Sequence, residues 1–265
     1  MQKLTFEVRP LAEVLDANGL HGQGSLVDQV YRLLREQIVN LSLPPESALV
    51  EQEVARVLTV SKTPVREAII RLSREGLVQV VPKSGSYVTA VSLDRYLEAF
   101  FVRTQLEVGC VRRLAERGVT LTEEVKLRAL LTVQQEALER HDDRRFFELD
   151  EDLHRCFFEL AGLPGAWRIM NEAKAEIDRV RHLKRLIGVR NHKLVLEEHT
   201  ALVNAIVDRD PVSAEQSLLD NIGVVADEMN LIAENPQLLR TIEDLNKLVR
   251  LDRRSRGSKK MAKAG

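Results

Sequence analysis

Residues 59–76, TVSKTPVREAIIRLSREG, place four cations on one short segment with helical spacing. Pro64 suits the first turn of a helix, where its missing N–H leaves no hydrogen bond unmade. Gly76 suits the left-handed conformation that often ends a helix. Apolar side chains recur on one face, at Val65, Ile69 and Leu72. The segment therefore predicts a helix that packs on one side and presents cations on the other.

The sequence around this helix predicts a complete small domain. Two helical patterns precede it, SLVDQVYRLLREQIVN from Ser25 and VEQEVARVL over about residues 50–58. Ser25 with Asp28 three residues later is typical of a capped helix start. Two short strand patterns, LVQVVP and SYVTAVS, follow around the tight connection PKSG. Three helices and then a hairpin form the order of a winged helix-turn-helix domain.

The rest of the chain predicts helices almost throughout, so the expected fold class is mainly α. The N-terminal winged helix-turn-helix domain, residues 25–91, is followed by an all-helical antiparallel bundle over residues 92–251. Residues 1–24 are predicted to form a flexible arm, and residues 252–265 are predicted to form a basic disordered tail. The helices of the bundle are expected at about 93–117, 122–140, 142–161, 164–186, 191–209 and 212–233, with a weaker one at 237–251.

Composition narrows the possible classes of protein. The chain has 265 residues, 30% of them charged, and a formal net charge of -1. Its two cysteines, Cys110 and Cys156, have neither a disulfide-framework nor a zinc-knuckle spacing. No apolar run approaches the roughly 18 residues that span a bilayer, and the N-terminus does not resemble a signal peptide. We therefore expect a cytoplasmic protein without a membrane partner.

The stretch VSKTPVREAIIRLSREGLVQVVPKSGSYV and the preceding LPPESALVEQEVARVLTV resemble the GntR family of transcription regulators, in the FadR branch with an FCD ligand domain. The resemblance is close over residues 25–91 and extends by pattern over 92–233. It implies a homodimer on a palindromic operator in double-stranded DNA, with no enzymatic activity. It also implies DNA contacts from residues of the helix start and the wing: Ser61, Lys62, Thr63, Arg66, Lys83 and Gly85.

Physical chemistry supports a DNA role for the start of this helix. The N-terminal residues of the second helix of a helix-turn-helix enter the major groove, and Lys62 and Arg66 are four apart on one face. Two positions depart from the family. Lys62 stands where arginine is frequent, and lysine has no planar fork for reading guanine. Gln52 stands where some members place a DNA-contacting arginine, and glutamine can pair with adenine.

The segment FFELDEDLHRCFFELAG carries Asp150 and His154 four residues apart, on one face of a helix. A carboxylate with an imidazole suits a divalent ion such as zinc, nickel or manganese, although the same spacing also occurs in ordinary helix-face contacts. The resemblance adds His199 as a third ligand and a fourth position at Asn221. Asparagine is a weaker ligand than the histidine that the family uses there.

Arg103 lies among apolar residues in FFVRTQLEVGC and needs an anionic partner if it is buried. Glu107 is one possible partner. The resemblance offers another, the carboxylate of a small organic-acid effector held together with the metal. The expected function is thus an effector-controlled regulator, most simply a repressor. A metal-responsive regulator, an acyl-CoA responder and a metal-dependent enzyme remain as alternatives.

Overall fold

The computed structural model describes residues 8–20, 24–187 and 191–247. The chain separates into two compact units. The head unit comprises Met1–Tyr96, Ala175–Ile187 and Ile232–Gly265, and the bundle unit comprises Leu97–Lys174 and Gly188–Leu231. The predicted tail at 252–265, the parts of the arm at 1–7 and 21–23, and the end of the last predicted helix lie outside the described residues.

The head unit contains the predicted winged helix-turn-helix. Its elements in chain order are α1 (Leu11–Val14), α2 (Leu26–Val39), α3 (Glu51–Val57), α4 (Lys62–Arg74), β1 (Val78–Val81) and β2 (Gly85–Val88). The two strands pair antiparallel, in a register from Val78↔Val88 to Val81↔Gly85. The order of three helices and a hairpin predicted from the sequence is confirmed.

Local sequence explains where these elements begin and which face they bury. Ser25 caps α2, because its hydroxyl accepts from the Asp28 amide at 3.2 Å while the Asp28 carboxylate accepts from the Ser25 amide at 3.0 Å. The predicted inward stripe of α4 is buried, with each residue at most 2% exposed, at Val65, Ile69 and Leu72. This packing fixes α4 and leaves its opposite face to solvent.

Part of the predicted arm is folded. Leu11 and Leu15 are 5% and 3% exposed and join the core of the head unit, so α1 is packed rather than flexible. The sequence predicts otherwise because a four-residue helix gives too few turns to show a period.

The remaining elements are long helices joined by short connections. They are α5 (Leu93–Arg117), α6 (Leu121–Glu139), α7 (Asp143–Leu160), α8 (Pro164–Ala173), α9 (Ala175–Leu186), α10 (His192–Val207), α11 (Pro211–Ile222) and α12 (Val225–Ala233), followed by a helical stretch, α13, over residues 236–247. Within the described residues, no helix is long and apolar enough to span a bilayer.

Two helices that the sequence predicts as continuous are each divided in two. The predicted helix at 212–233 ends at Ile222 because Gly223 takes a positive φ of 85°. The predicted helix at 164–186 is interrupted at Lys174. Lys174 is neither glycine nor proline, so the break could not be predicted from the residue type. Lys174 is 5% exposed and its Nζ lies 3.2 Å from the Glu151 carboxylate.

α9 belongs to the head unit although bundle helices flank it in the chain. Its Arg179 is fully buried and donates to the carbonyls of Thr89 and Ala90, at 2.9 and 3.3 Å. The Glu176 carboxylate, also on α9, lies 3.5 Å from the same guanidinium. These buried polar contacts hold the segment that follows the wing, so the boundary predicted at 91/92 does not match the division of the packed units.

Asn246 of α13 holds the next residue of that segment. Its side chain accepts from the Val91 amide and donates to the Val91 carbonyl, both at 2.9 Å. Asn246→Ala should remove both bonds, at a net cost of about 1–2 kcal/mol. Hydrogen–deuterium exchange over residues 89–92 should then be about 5- to 30-fold faster than in the wild type. Lys247→Ala, beside it on α13, is the control, and equal exchange in both variants would contradict the assignment.

Candidate functional site

The first turn of α4 is presented to solvent. Ser61, the N-cap residue, and the following Lys62 and Thr63 are exposed, whereas Pro64 is buried. The Ser61 side chain makes no capping hydrogen bond. Arg66, one turn further on, has a side chain that is 64% exposed. The residues predicted to meet DNA thus lie together at the accessible start of one helix.

Two consecutive residues of α3 contact the cations of this turn. The Glu51 carboxylate accepts from Arg66 Nε at 3.0 and 3.1 Å and from Nη2 at 2.8 Å. The Gln52 side-chain oxygen accepts from Lys62 Nζ at 3.4 Å. The contact with Glu51 is not predicted from the sequence, because it depends on the packing of α3 against α4.

The wing turn between β1 and β2 is also exposed. Lys83 lies at its tip with a positive φ of 62°, and Gly85 has φ 134°, a conformation that favours glycine. Further along α4, Arg71 contacts two residues of α2. Its guanidinium lies 2.6 Å from the Asp28 carboxylate and 4.0 Å from the centre of the Tyr31 ring.

The bundle unit brings together three of the four predicted metal ligands. Asp150 and His154 come from α7 and His199 from α10, and one ligand atom of each lies within 4.8 Å of the others. All three residues are buried, with exposures of 1%, 2% and 0%. His199 Nε2 lies 3.6 Å from Asp150 Oδ1.

Each histidine of this cluster is oriented through its other ring nitrogen. His154 Nδ1 lies 2.5 Å from the Glu107 carboxylate, and His199 Nδ1 lies 2.9 Å from the Gln134 side-chain oxygen. Both acceptors are 1% exposed. Because both acceptors engage Nδ1, Nε2 is the ring nitrogen that each histidine offers to a metal, and this is how metal-binding histidines are commonly held.

Arg103 is paired with Glu107, the possible partner one helical turn further along α5. Its Nε donates to Glu107 at 2.7 Å, and its Nη2 lies 3.5 Å from His154 Nε2. Burial alone would raise the pKa of Glu107, but the charges of Arg103 and His154 outweigh it and lower that pKa to about 2. Glu107 is therefore an anion that links the arginine to the histidine cluster.

Asn221, the fourth predicted ligand, lies at the end of α11. Its side-chain nitrogen donates to the Glu198 carboxylate at 3.1 Å. Glu198 is the residue before His199 in the chain. Its side-chain oxygen is buried and accepts no hydrogen bond from the part of the chain that the structure describes. An amide oxygen in that state can serve as a metal ligand, although it is weaker than imidazole.

The donor set fits a divalent ion. Two ligand atoms on one ion with bonds of about 2.1 Å lie at most about 4.2 Å apart, so the cluster needs only a small contraction. Two imidazoles and a carboxylate suit a borderline ion such as zinc or nickel and also suit manganese. Glu107 and Gln134 are the residues that sequence reasoning missed as supports of the ligands. Neither has a fixed spacing to the histidine that it holds.

Comparison with known proteins identifies both parts of the chain. Residues 26–88 match the family of bacterial regulatory proteins named gntR, and residues 98–223 match the FCD domain. A repressor of Escherichia coli K12, the HTH-type transcriptional repressor RspR, is 32% identical over 206 residues, covering 78% of this chain and 90% of the repressor. The chain belongs to the GntR family. It is a transcription regulator with an FCD domain.

Further relatives agree. An HTH-type regulator in an unstable DNA locus of Streptomyces ambofaciens is 33% identical over 214 residues, which is 80% of this GntR chain and 89% of the relative. The solved structure of E. coli McbR/YncC has the same fold, with a TM-score of 0.67 at 22% identity, covering 80% of this chain and 99% of that one. These relatives are transcription regulators, not enzymes.

Proposed function

We propose that this GntR regulator is a repressor of the FadR branch, which binds a palindromic operator as a homodimer and acts in the cytoplasm. A small organic acid, bound in the bundle unit through a divalent ion, would control its affinity for DNA. The buried cluster of Asp150, His154 and His199 carries the proposal for effector control, because a site of this kind is not needed for DNA binding.

The DNA-binding surface is proposed to be the exposed start of α4 together with the wing turn. Ser61, Lys62, Thr63 and Arg66 are accessible on one helix start, where free N–H groups and the helix dipole attract a phosphate. Gln52 lies beside Lys62. Lys83 and Gly85 lie in the exposed wing turn, and they are proposed to contact the sugar-phosphate backbone of the DNA beside the adjoining groove.

The metal would be held by Asp150, His154 and His199, with Asn221 as the weaker fourth ligand. When bound, the ion supplies a positive charge that attracts oxygen ligands such as carboxylates. Arg103 supplies a second cation, since its Nη2 lies only 3.5 Å from His154 Nε2. An anionic effector would compete with Glu107 for this guanidinium.

Effector control then requires that the ligand bind two states of the protein unequally. An acid that draws Arg103 from Glu107 changes the contacts of α5 with α7, because Glu107 on α5 also holds His154 on α7. A metal-responsive regulator is the second candidate, favoured by the same cluster.

The test is a titration of DNA binding followed by fluorescence anisotropy. The protein is prepared without chelator or nickel resin, and its metal is counted by mass spectrometry. We expect about one zinc, nickel or manganese ion per chain, and DNA release on adding small carboxylates at constant metal. Release that follows the metal alone would favour the second candidate. Absence of stoichiometric metal at neutral pH would contradict the metal site.

Glu107→Gln tests the support of the cluster. The amide keeps the shape of the side chain but removes the anion that orients His154 and neutralises Arg103. Loss of such a support typically weakens metal affinity about 10- to 100-fold, and a competition titration with a chromophoric chelator measures it. Gln135→Glu, on the exposed side of α6, is a control that changes charge without touching the cluster. Unchanged metal affinity in Glu107→Gln would remove Glu107 from the site.

A further inference from the structure

The ion pair between Glu51 and Arg66 leaves part of the guanidinium available to DNA. Arginine has five N–H donors, and the carboxylate engages the edge formed by Nε and Nη2. Nη1 and the second hydrogen of Nη2 lie at the far end of the group. That end carries the two parallel donors that match O6 and N7 of guanine. The Arg66 side chain remains 64% exposed while it makes this contact.

The helix that carries Glu51 is fixed to the helix that carries Arg66. α3 and α4 share one core, in which Val54 and Val65 are both 0% exposed. The Glu51 side chain is 31% exposed and its partner is more so. Ion pairs this exposed contribute little to folding stability, so the arrangement is not explained by stability.

We propose that Glu51 is a positioning residue, which orients Arg66 for reading a base of the operator and thereby sets the specificity of the head. This inference rests on the proposed function, in which Arg66 meets the operator. A long side chain loses conformational freedom when it binds, and a side chain already held in place loses less. Glu51 supplies that restraint from outside the groove.

The charge of Glu51 acts in the same direction. A carboxylate near the DNA repels phosphates, and phosphate attraction provides nearly all of the affinity for unrelated sequences. Glu51 thus lowers the affinity for every duplex while it favours the one that Arg66 can read. The net effect is a larger ratio of the affinity for the operator to the affinity for unrelated duplexes.

Two other roles for Glu51 make different predictions. As a mask, Glu51 would compete with DNA for Arg66 and would weaken binding to the operator and to unrelated duplexes equally. As a direct reader, it would accept from a cytosine amino group and would select a base without Arg66. A direct reader keeps its effect when Arg66 is absent, whereas the effects of a mask and of positioning both vanish with Arg66. Positioning differs from a mask because it favours the operator over unrelated duplexes.

The experiment measures dissociation constants for an operator duplex, obtained by selection from random duplexes, and for a scrambled duplex of equal length. Glu51→Gln should weaken operator binding about 10-fold and leave scrambled binding equal or slightly tighter. Glu51→Asp keeps the charge with a shorter reach and should give an intermediate ratio. Glu53→Gln makes the same charge change on α3 and should leave the ratio unaltered. In the Arg66→Ala background, Glu51→Gln should not change the ratio further.

Four outcomes would overturn the inference. Equal tightening of both duplexes by Glu51→Gln would establish a mask, and an altered base preference that persists in the Arg66→Ala background would establish a direct reader. An unchanged ratio in Glu51→Gln, with a lowered ratio in Arg66→Ala, would reject positioning but keep the proposed function. An unchanged ratio in Arg66→Ala itself would reject the reading role of Arg66 and the inference with it.

Discussion

Arg66→Ala is expected to weaken binding to the operator by about 100-fold or more. A bidentate arginine–guanine contact contributes about 1–3 kcal/mol of discrimination, and two heads on a two-fold operator would lose it together. Arg66 is the cation of α4 best placed for such a contact, since its side chain is 64% exposed and its orientation is held from α3. Anisotropy titrations with operator and scrambled duplexes measure the loss.

The matched control is Arg74→Ala. Arg74 is exposed on the same helix but lies in its last turn, away from the end that enters a groove. This control should change affinity only slightly, through one charge, and equally for both duplexes. If both variants lost operator affinity to the same extent, α4 would act as a charged surface and not as a recognition helix.

His199→Ala is expected to lower the affinity for the divalent ion by about 100-fold or more, since removal of a ligand exceeds the effect of removing its support. His199 is fully buried, and Nε2 faces Asp150 at 3.6 Å, so solvent does not readily replace it. Affinity for the operator in the absence of effector should be largely kept, because the DNA-binding surface lies in the head unit. The response to carboxylates should be lost.

His192→Ala is the control for this variant. His192 is also on α10, but it stacks on Phe146 at 4.8 Å and lies 3.3 Å from the Asp143 carboxylate, outside the cluster. Metal content should stay at the wild-type level in this control. If His199→Ala kept its metal, or if it lost operator affinity as Arg66→Ala does, the separation of the two functions would be wrong.

Sequence predicts the head well because its signals are local. Pro64 near the start of α4, Gly76 after its end and the apolar stripe between them all act within one helix. The i, i+4 pair of Asp150 and His154 is likewise local. The contact of this pair with His199 joins two separate helices. Sequence spacing does not predict such a contact, and His199 was predicted from the family resemblance.

What the sequence does not reveal depends on tertiary packing. α9 reads as the second half of a long bundle helix, yet Arg179 buries its charge against the carbonyls after the wing. Gln134 supports His199 across 65 positions of sequence. Glu51 reaches Arg66 only because the core holds α3 and α4 together. No periodicity carries information about such pairs, since each residue alone looks like an ordinary polar residue.

The central claim is that the start of α4 reads a specific DNA sequence. Selection of bound duplexes from a random pool at low salt, followed by sequencing, tests it most directly. The wild-type chain should enrich a palindromic sequence, and Arg66→Ala should enrich none while still binding DNA weakly. If the wild-type chain ignored every duplex at low salt, or bound all of them without enrichment, the claim would be contradicted.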